Sequence, residues 1–132
     1  MQQQILLIDD DGDELLLFED ALHRLCYENE FKCTHVQSAV EALDMLQGAK
    51  PDYIFVDLNM PAMNGIEFLI KARTESISLS TKIYLHSTNV TDITYQKAML
   101  EGAAGCIRKL NSVQGLANEL VAVLVPARPP IT

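Results

Sequence analysis

Carboxylate side chains directly follow two short apolar runs of the sequence. Asp9 and Asp10 come after the run at residues 5–8, and Asp57 comes after the run at residues 53–56. A carboxylate at the end of an apolar strand is costly to bury unless it is protonated or neutralised by a cation. Oxygen ligands of this type, with positions left for water, suit Mg²⁺ or Mn²⁺. The pattern therefore predicts a binding site for a divalent cation.

Hydroxyl and ammonium groups follow two further strand-like segments. Ser87 and Thr88 come after the fourth apolar segment, and Lys109 ends the fifth. A bound divalent cation attracts a phosphoryl group, whose negative charge also suits an ammonium and a hydroxyl donor. Carboxylates form acyl phosphates in several enzyme classes, so Asp57 is a candidate nucleophile. We expect the catalysis to consist of positioning and charge stabilisation.

Three other acids in the first loop have a simpler explanation. Asp11, Asp13 and Glu14 stand at the start of the first predicted helix, whose positive end favours negative charge. We therefore interpret these three as helix-start residues and keep the chemical role for Asp9 and Asp10.

The apolar pattern along the chain indicates the elements that must position these groups. Short continuous apolar runs indicate strands buried on both faces, and spacings of three and four indicate amphipathic helices. Five strands alternating with five helices predict an α/β fold, a doubly wound, flavodoxin-like parallel sheet of order 2-1-3-4-5 with helices on both faces. In such a sheet, ligands bind beyond the carboxyl ends of the strands. The predicted strands lie at about 5–8, 32–37, 53–56, 83–85 and 106–107, and the predicted helix caps include a capping box of Ser38 with Glu41 and a cap at Asn64.

Composition and charge exclude several classes of protein. The chain has 132 residues, 48% of them apolar and 21% charged, which predicts one domain and excludes disorder over the whole chain. No apolar run approaches the ~20 residues of a membrane helix, and the first residues start no signal peptide, so we expect no membrane insertion. The formal net charge of −8 argues against direct nucleic-acid binding. The three cysteines form no C-x-x-C pair, which favours a reducing cytoplasm.

Three segments carry a resemblance to a known family. They are ILLIDD at residues 5–10, DLNMPAMNG at residues 57–65 and GAAGCIRK at residues 102–109. With these segments in this order, the chain resembles the receiver domain of bacterial two-component response regulators, of the single-domain type, over essentially its whole length. The resemblance implies a receiver domain over residues 1–125 and a short proline-rich C-terminal tail over residues 126–132.

The resemblance implies a metal site with Mg²⁺, or Mn²⁺, as the cofactor. Asp10 would be the direct ligand, and Asp9 would act largely through water. Asp57 would also face the ion, and Asn59 would give it a backbone carbonyl. The expected metal site therefore consists of Asp9, Asp10, Asp57 and Asn59.

The resemblance also implies which residues handle the phosphoryl group. Asp57 would accept it from a histidine of a sensor histidine kinase or of a histidine phosphotransfer protein. Ser87 matches the hydroxyl residue that contacts a phosphoryl oxygen, with Thr88 as the alternative, because the spacing to Lys109 favours Ser87. Lys109 would pair with the phosphoryl group.

Two positions depart from the family pattern. Lys109 is followed by Leu110, where the family usually has a proline in a cis bond. Because a cis bond before a non-proline residue costs ~3 kcal/mol, we expect a trans peptide or a strained cis one. Cys106 stands where the family usually has an aromatic ring, and a cysteine cannot expose or bury a comparable area. We therefore predict that this chain transmits its state through backbone and helix shifts instead of a ring swing.

Two further segments carry no clear chemical role. His86 flanks Ser87, but strand alternation points its side chain away from Ser87, which favours packing. The apolar residues of the fourth helix share no single face, which fits either a partner surface or a loosely packed surface helix. These residues are Ile93, Tyr95, Ala98 and Met99.

The leading interpretation is a response regulator receiver that accepts a phosphoryl group on Asp57 and signals to a downstream target protein by contact. It would not be an enzyme, but a phosphoacceptor that assists its own phosphorylation and dephosphorylation. The alternative is a degenerate receiver that acts as an interaction module without phosphorylation, and Leu110 favours it. An aspartyl phosphatase would need a second carboxylate at the position of Asn59. A flavin site would need a hydroxyl- and glycine-rich loop where the first loop is acidic.

Overall fold

Parallel strands form the centre of the computed structural model, which describes residues 2–75 and 80–126. The strands are β1 (Gln3–Ile8), β2 (Phe31–Val36), β3 (Tyr53–Asp57), β4 (Lys82–Ser87) and β5 (Gly105–Arg108). Over the described residues their order is β2-β1-β3-β4-β5, and every neighbouring pair is parallel. The predicted order 2-1-3-4-5 is therefore confirmed, with β2 at one edge.

Helices connect successive strands and cover both faces of the sheet. They are α1 (Glu14–Arg24), α2 (Ala39–Met45), α3 (Gly65–Thr74), α4 (Asp92–Leu100) and α5 (Val113–Val123). The predicted alternation of strand and helix is confirmed. The fourth strand is longer than its apolar run, because its ladder with β3 extends from Lys82 to His86.

The sheet separates two apolar cores, because successive side chains of a strand point to opposite faces. In β1, Leu6 and Ile8 join the core beneath α2, α3 and α4, whereas Ile5 and Leu7 join the core beneath α1 and α5. Burial on both faces explains why the strand reads as a continuous apolar run.

Capping residues fix where two of the helices begin. Asn64 and Glu67 form a reciprocal capping box at α3, with hydrogen bonds of 2.8 and 3.0 Å. At α2 the Ser38 hydroxyl accepts the Glu41 N–H at 3.1 Å, which is one half of the predicted box. A cap of this kind stabilises a helix by ~1 kcal/mol. The cap at Asn64 thereby fixes the far end of the loop that begins at Asp57.

Helix α4 contributes little to either core. Ala98 is the buried residue of this helix, whereas Ile93 and Leu100 are 80% and 86% exposed. The Thr91 hydroxyl caps the helix by accepting the Thr94 N–H at 3.2 Å. The prediction that the apolar residues of α4 share no single face is confirmed.

Within residues 2–75 and 80–126, no helix combines the length and apolar character needed to cross a membrane. Cys26, Cys33 and Cys106 are free thiols. Of the predicted proline-rich tail, Pro126 is described and residues 127–132 lie outside the described residues. The division of the chain at residue 125 therefore stays a prediction.

Candidate functional site

Four predicted site residues lie at the carboxyl edge of the sheet. Asp57 and Ser87 are the last residues of β3 and β4, while Asp9 and Lys109 directly follow β1 and β5. Because parallel strands end at the same edge, these four side chains come from neighbouring strand ends. The structure therefore brings together groups that are up to a hundred residues apart in sequence.

Asp9, Asp10 and Asp57 form the acidic part of the site, here called the carboxylate cluster. One oxygen from each lies within 4.8 Å of the others, and Asp10 is exposed while its two partners are buried. Hard oxygen ligands this close together, with one open side, fit a hydrated divalent cation such as Mg²⁺ or Mn²⁺. Asn59, the fourth expected ligand, is exposed and follows Asp57 by two residues on the same loop.

Burial and neighbouring charge both act on the carboxyl group of Asp57. Burial raises its pKa, and the negative charge of Asp9 raises it further. The Asn59 N–H donates to Asp57 Oδ1 at 3.2 Å, and this hydrogen bond lowers the pKa. The net effect is a pKa above the ordinary value, as expected of a carboxyl group whose charge is only partly compensated by the protein. A divalent cation would remove much of this repulsion.

Lys109 supplies the positive charge at the site. Its Nζ lies 2.8 Å from Asp9 Oδ2, 3.5 Å from Asp57 Oδ2 and 3.8 Å from Glu14 Oε1. Burial alone would lower the pKa of Lys109, but contact with Asp9 and the charges of the other two acids raise it above its usual value. The ammonium is therefore charged at neutral pH.

The backbone around Lys109 keeps the side chain at the site without the family proline. The peptide bond between Lys109 and Leu110 is trans, which is the first of the two outcomes expected from the sequence. The Lys109 N–H donates to the Ser87 carbonyl at 2.8 Å, one residue beyond the β4–β5 ladder. This bond carries the alignment of the two strands up to Lys109.

The hydroxyl of Ser87 is occupied within its own loop. Ser87 is buried, and its Oγ donates to the Asn89 carbonyl at 3.3 Å and accepts the Asn89 N–H at 3.4 Å. Thr88, the alternative hydroxyl, is exposed and lines a cavity of about 330 Å³ beside Cys106 and Tyr95. The Ser87 hydroxyl therefore donates its hydrogen bond to Asn89 and not to the carboxylate cluster.

Glu14 begins α1, as predicted, and the structure also places it at the site, which was not predicted from the sequence. Its side chain is only 8% exposed, and its Oε1 lies 3.8 Å from Lys109 Nζ. Glu14 precedes the buried Phe18 by four residues and therefore lies on the same face of α1. This spacing indicates that Glu14 is buried. Burial raises the pKa of Glu14, and the Lys109 charge lowers it.

His86 lies on the opposite side of β4 from Ser87. Its ring packs edge-on against Phe18, with centroids 5.5 Å apart, in agreement with the predicted packing role. It is 1% exposed, and its two ring nitrogens have no hydrogen-bond partner among the described residues. Burial, assisted by the charge of Lys109, lowers the pKa of His86 to about 3. The ring is therefore neutral at physiological pH.

The chain matches known proteins over most of its length. The profile of the response regulator receiver domain matches residues 5–121. The chain is 29% identical to the chemotaxis protein CheY1 of Helicobacter pylori over 121 residues, covering 92% of this chain and 96% of CheY1. It is also 29% identical to part of the autoinducer 2 sensor kinase/phosphatase LuxQ of Vibrio vulnificus, covering 89% of this chain and 13% of LuxQ.

Solved structures show the same fold. The chemotaxis protein CheY4 of Vibrio cholerae superposes with a TM-score of 0.79 at 27% identity, covering 94% of this chain and 100% of CheY4. The motifs quoted from the sequence, the strand order and the profile match over residues 5–121 all agree. The chain therefore belongs to the response regulator receiver domain family.

Proposed function

We propose that the chain accepts a phosphoryl group on Asp57 from a phosphohistidine and then signals by contact with a target protein. The observation that carries the proposal is the position of the Asp57 carboxylate between two kinds of charge. It shares the carboxylate cluster with Asp9 and Asp10, and it lies 3.5 Å from the Lys109 ammonium. The acids suit a cation, and the ammonium suits the phosphoryl group that the cation would attract.

In the proposed reaction, one oxygen of Asp57 attacks the phosphorus of a phosphohistidine. An O–P bond forms, the P–N bond breaks, and the imidazole, which carries a proton on its other ring nitrogen, leaves as a neutral ring with the electron pair of that bond. Asp9, Asp10, Asp57 and the carbonyl of Asn59 would hold Mg²⁺, or Mn²⁺, which supplies neutralisation of the phosphoryl charge. Assistance of this kind also makes the chain a participant in its own phosphorylation and dephosphorylation.

Lys109 and Ser87 would then exchange their present partners for the phosphoryl group. Lys109 would turn from the Asp9 carboxylate toward a phosphoryl oxygen, and Ser87 would turn its hydroxyl from Asn89. Both changes would form a charge-assisted contact with the phosphoryl group and would move the ends of β4 and β5. Such a movement is a way for the phosphorylated state to reach the surface of the domain.

The proposed phosphodonor is a sensor histidine kinase or a histidine phosphotransfer protein. The match to part of a protein named a sensor kinase/phosphatase supports this class of partner. The proposed recipient of the signal is a protein, because the acidic chain offers little basic surface for nucleic acid. The three free thiols support a cytoplasmic setting.

Intact-mass measurement tests the proposal. The protein is incubated with Mg²⁺ and acetyl phosphate, and we expect a single phosphoryl adduct on the wild type and none on Asp57→Asn. Asp52→Asn is the matched control, because Asp52 is an exposed acid at the other end of β3 and should leave the adduct unchanged. An adduct on Asp57→Asn equal to that on the wild type would place the phosphoryl group elsewhere.

A degenerate receiver without phosphoryl transfer is the second candidate. The observation that favours it is Leu110 in place of the family proline, joined to Lys109 by a trans peptide. This candidate requires that neither acetyl phosphate nor a phosphorylated histidine phosphotransfer protein yields an adduct, with or without Mg²⁺.

A further inference from the structure

Glu14 is a buried acid at the site, and the proposed phosphoryl transfer assigns it no role. It is the first residue of α1 and 6% exposed, and its Oε1 lies 3.8 Å from Lys109 Nζ. A buried carboxylate is expensive unless a cation faces it. Among the described residues, Lys109 is the ion-pair partner of Glu14.

His86 cannot take over this role. An oxygen of Glu14, an oxygen of Asp9 and a ring nitrogen of His86 lie within 4.8 Å of one another. Phe18 packs against the ring, and both ring nitrogens are sealed from solvent. Neither ring nitrogen has a hydrogen-bond partner among the described residues, so the imidazole does not bond to the Glu14 carboxylate. Glu14 therefore depends on the Lys109 ammonium.

Three acids from three elements share the ammonium of Lys109. Asp9 follows β1, Asp57 ends β3, and Glu14 begins α1. Under the proposed function, Asp9 and Asp57 face the metal ion, and Asp57 becomes the acyl phosphate. Glu14 is then the one of the three acids that keeps an unshared negative charge for Lys109. The phosphoryl group and Glu14 compete for the same ammonium.

We propose that Glu14 is a positioning residue that holds Lys109 on the α1 side of the site and opposes its transfer to the phosphoryl group. This proposal rests on the proposed function, because it concerns how readily Asp57 keeps an anion. Removing the Glu14 charge frees the ammonium and removes a negative charge near the phosphoryl group. Both effects favour the phosphorylated form.

The test is a titration with beryllium fluoride, a mimic of the phosphoryl group, in the presence of Mg²⁺. Occupancy is read from ¹⁵N–¹H NMR spectra, so that binding is separated from hydrolysis. We expect Glu14→Gln to lower the half-saturating concentration of beryllium fluoride by roughly threefold or more. Glu14→Asp keeps the charge, and we expect it to remain closer to the wild type than Glu14→Gln.

Asp13→Asn is the matched control, because it removes one acid at the preceding position without touching Lys109. Asp13 is exposed and its side chain makes no capping hydrogen bond. An equal gain in Asp13→Asn and Glu14→Gln would reduce the effect to general charge and overturn the proposal. So would an unchanged midpoint in Glu14→Gln.

The route through Lys109 is tested by a double-mutant cycle. In the Lys109→Met background, Glu14→Gln should change the half-saturating concentration of beryllium fluoride much less than in the wild type, because the residue through which it mainly acts is gone. An undiminished effect in that background would show direct repulsion and overturn the positioning role. If the wild type itself binds no fluoride mimic and forms no acetyl-phosphate adduct, the proposed function fails, and the proposal for Glu14 fails with it.

Discussion

The ammonium of Lys109 lies 2.8 Å from Asp9 Oδ2, in contact with a side chain that has no exposure to solvent. Asp57, the proposed phosphoacceptor, is farther from the same ammonium at 3.5 Å. In the unphosphorylated protein Lys109 is therefore first a counterion for Asp9. Breaking a buried pair by removing one partner is costly, because the other charge stays buried without compensation.

Lys109→Met should accordingly destabilise the metal-free protein by about 3–5 kcal/mol. The measurement is urea unfolding in the presence of EDTA. Lys71→Met is the control, since Lys71 forms an exposed pair with Glu75 whose loss costs at most ~1 kcal/mol. Adding Asp9→Asn to Lys109→Met should restore part of the loss. Equal losses in the two lysine variants would contradict the buried-pair interpretation.

Mg²⁺ should stabilise the fold through the carboxylate cluster. A ligand that binds the folded state alone adds ~1.4 kcal/mol at ten times its dissociation constant. Thermal unfolding with increasing Mg²⁺ should therefore show a rising midpoint for the wild type and little change for Asp10→Asn. Asp20→Asn, an exposed acid on α1, should respond like the wild type. A response retained by Asp10→Asn would exclude this residue as a ligand.

His86 should make the fold sensitive to mild acid. Its pKa is about 3 in the folded protein and 6.5 in the unfolded chain, so between these values the unfolded chain binds a proton that the folded protein does not. The free energy of unfolding therefore falls as the pH drops below 6.5, by about 2 kcal/mol at pH 5.

Urea unfolding at pH 7.5 and pH 5 in EDTA measures this contribution. His86→Leu should lose less stability than the wild type between the two pH values. The raised pKa values of Asp57 and Glu14 act in the opposite direction, so the difference between the two proteins isolates the histidine. The exposed His23 serves as the control through His23→Gln. An unchanged pH dependence in His86→Leu would show that the imidazole is not buried neutral.

Gly65 should not tolerate a side chain. A Cβ atom at this position would lie 2.8 Å from the Asp57 carbonyl oxygen and 3.0 Å from Leu58 Cα, and backbone atoms cannot rotate away. Gly65→Ala should therefore cost ~1–3 kcal/mol in unfolding free energy and slow phosphorylation of Asp57. Gly48→Ala, where a Cβ meets nothing within 4 Å, should leave both measurements near wild-type values.

The fold and the edge that carries the site followed from simple patterns in the sequence. Continuous apolar runs and amphipathic segments predicted the strand order, and the order placed Asp9, Asp57, Ser87 and Lys109 at one edge. These predictions succeeded because burial on both faces of a parallel sheet leaves a strong mark on composition. The helix cap at Asn64 was predicted correctly because a cap depends on local sequence alone.

The predictions that fell short depended on contacts between distant elements. The burial of Glu14 was not predicted, because it depends on how α1 packs over the ends of β1 and β5. The closer pairing of Lys109 with Asp9 than with Asp57 likewise depends on the path of a flexible side chain. The predicted signalling without an aromatic ring at Cys106 stays a prediction that structures with and without a phosphoryl mimic would test.

Helix α4 has a hydroxyl cap at Thr91 and contributes one buried residue, Ala98, to the core beneath it. Its separation from the sheet therefore exposes less of the core than separation of α5, which contributes three buried residues. The free energy of such a local opening is small compared with that of global unfolding. Amide protons of α4 should therefore exchange with solvent well before those of α5, which buries Leu116, Ala117 and Leu120. Phosphorylation of Asp57 would move the ends of β4 and β5. Helix α4 connects these two strands, so we expect it to be the first helix to change its position.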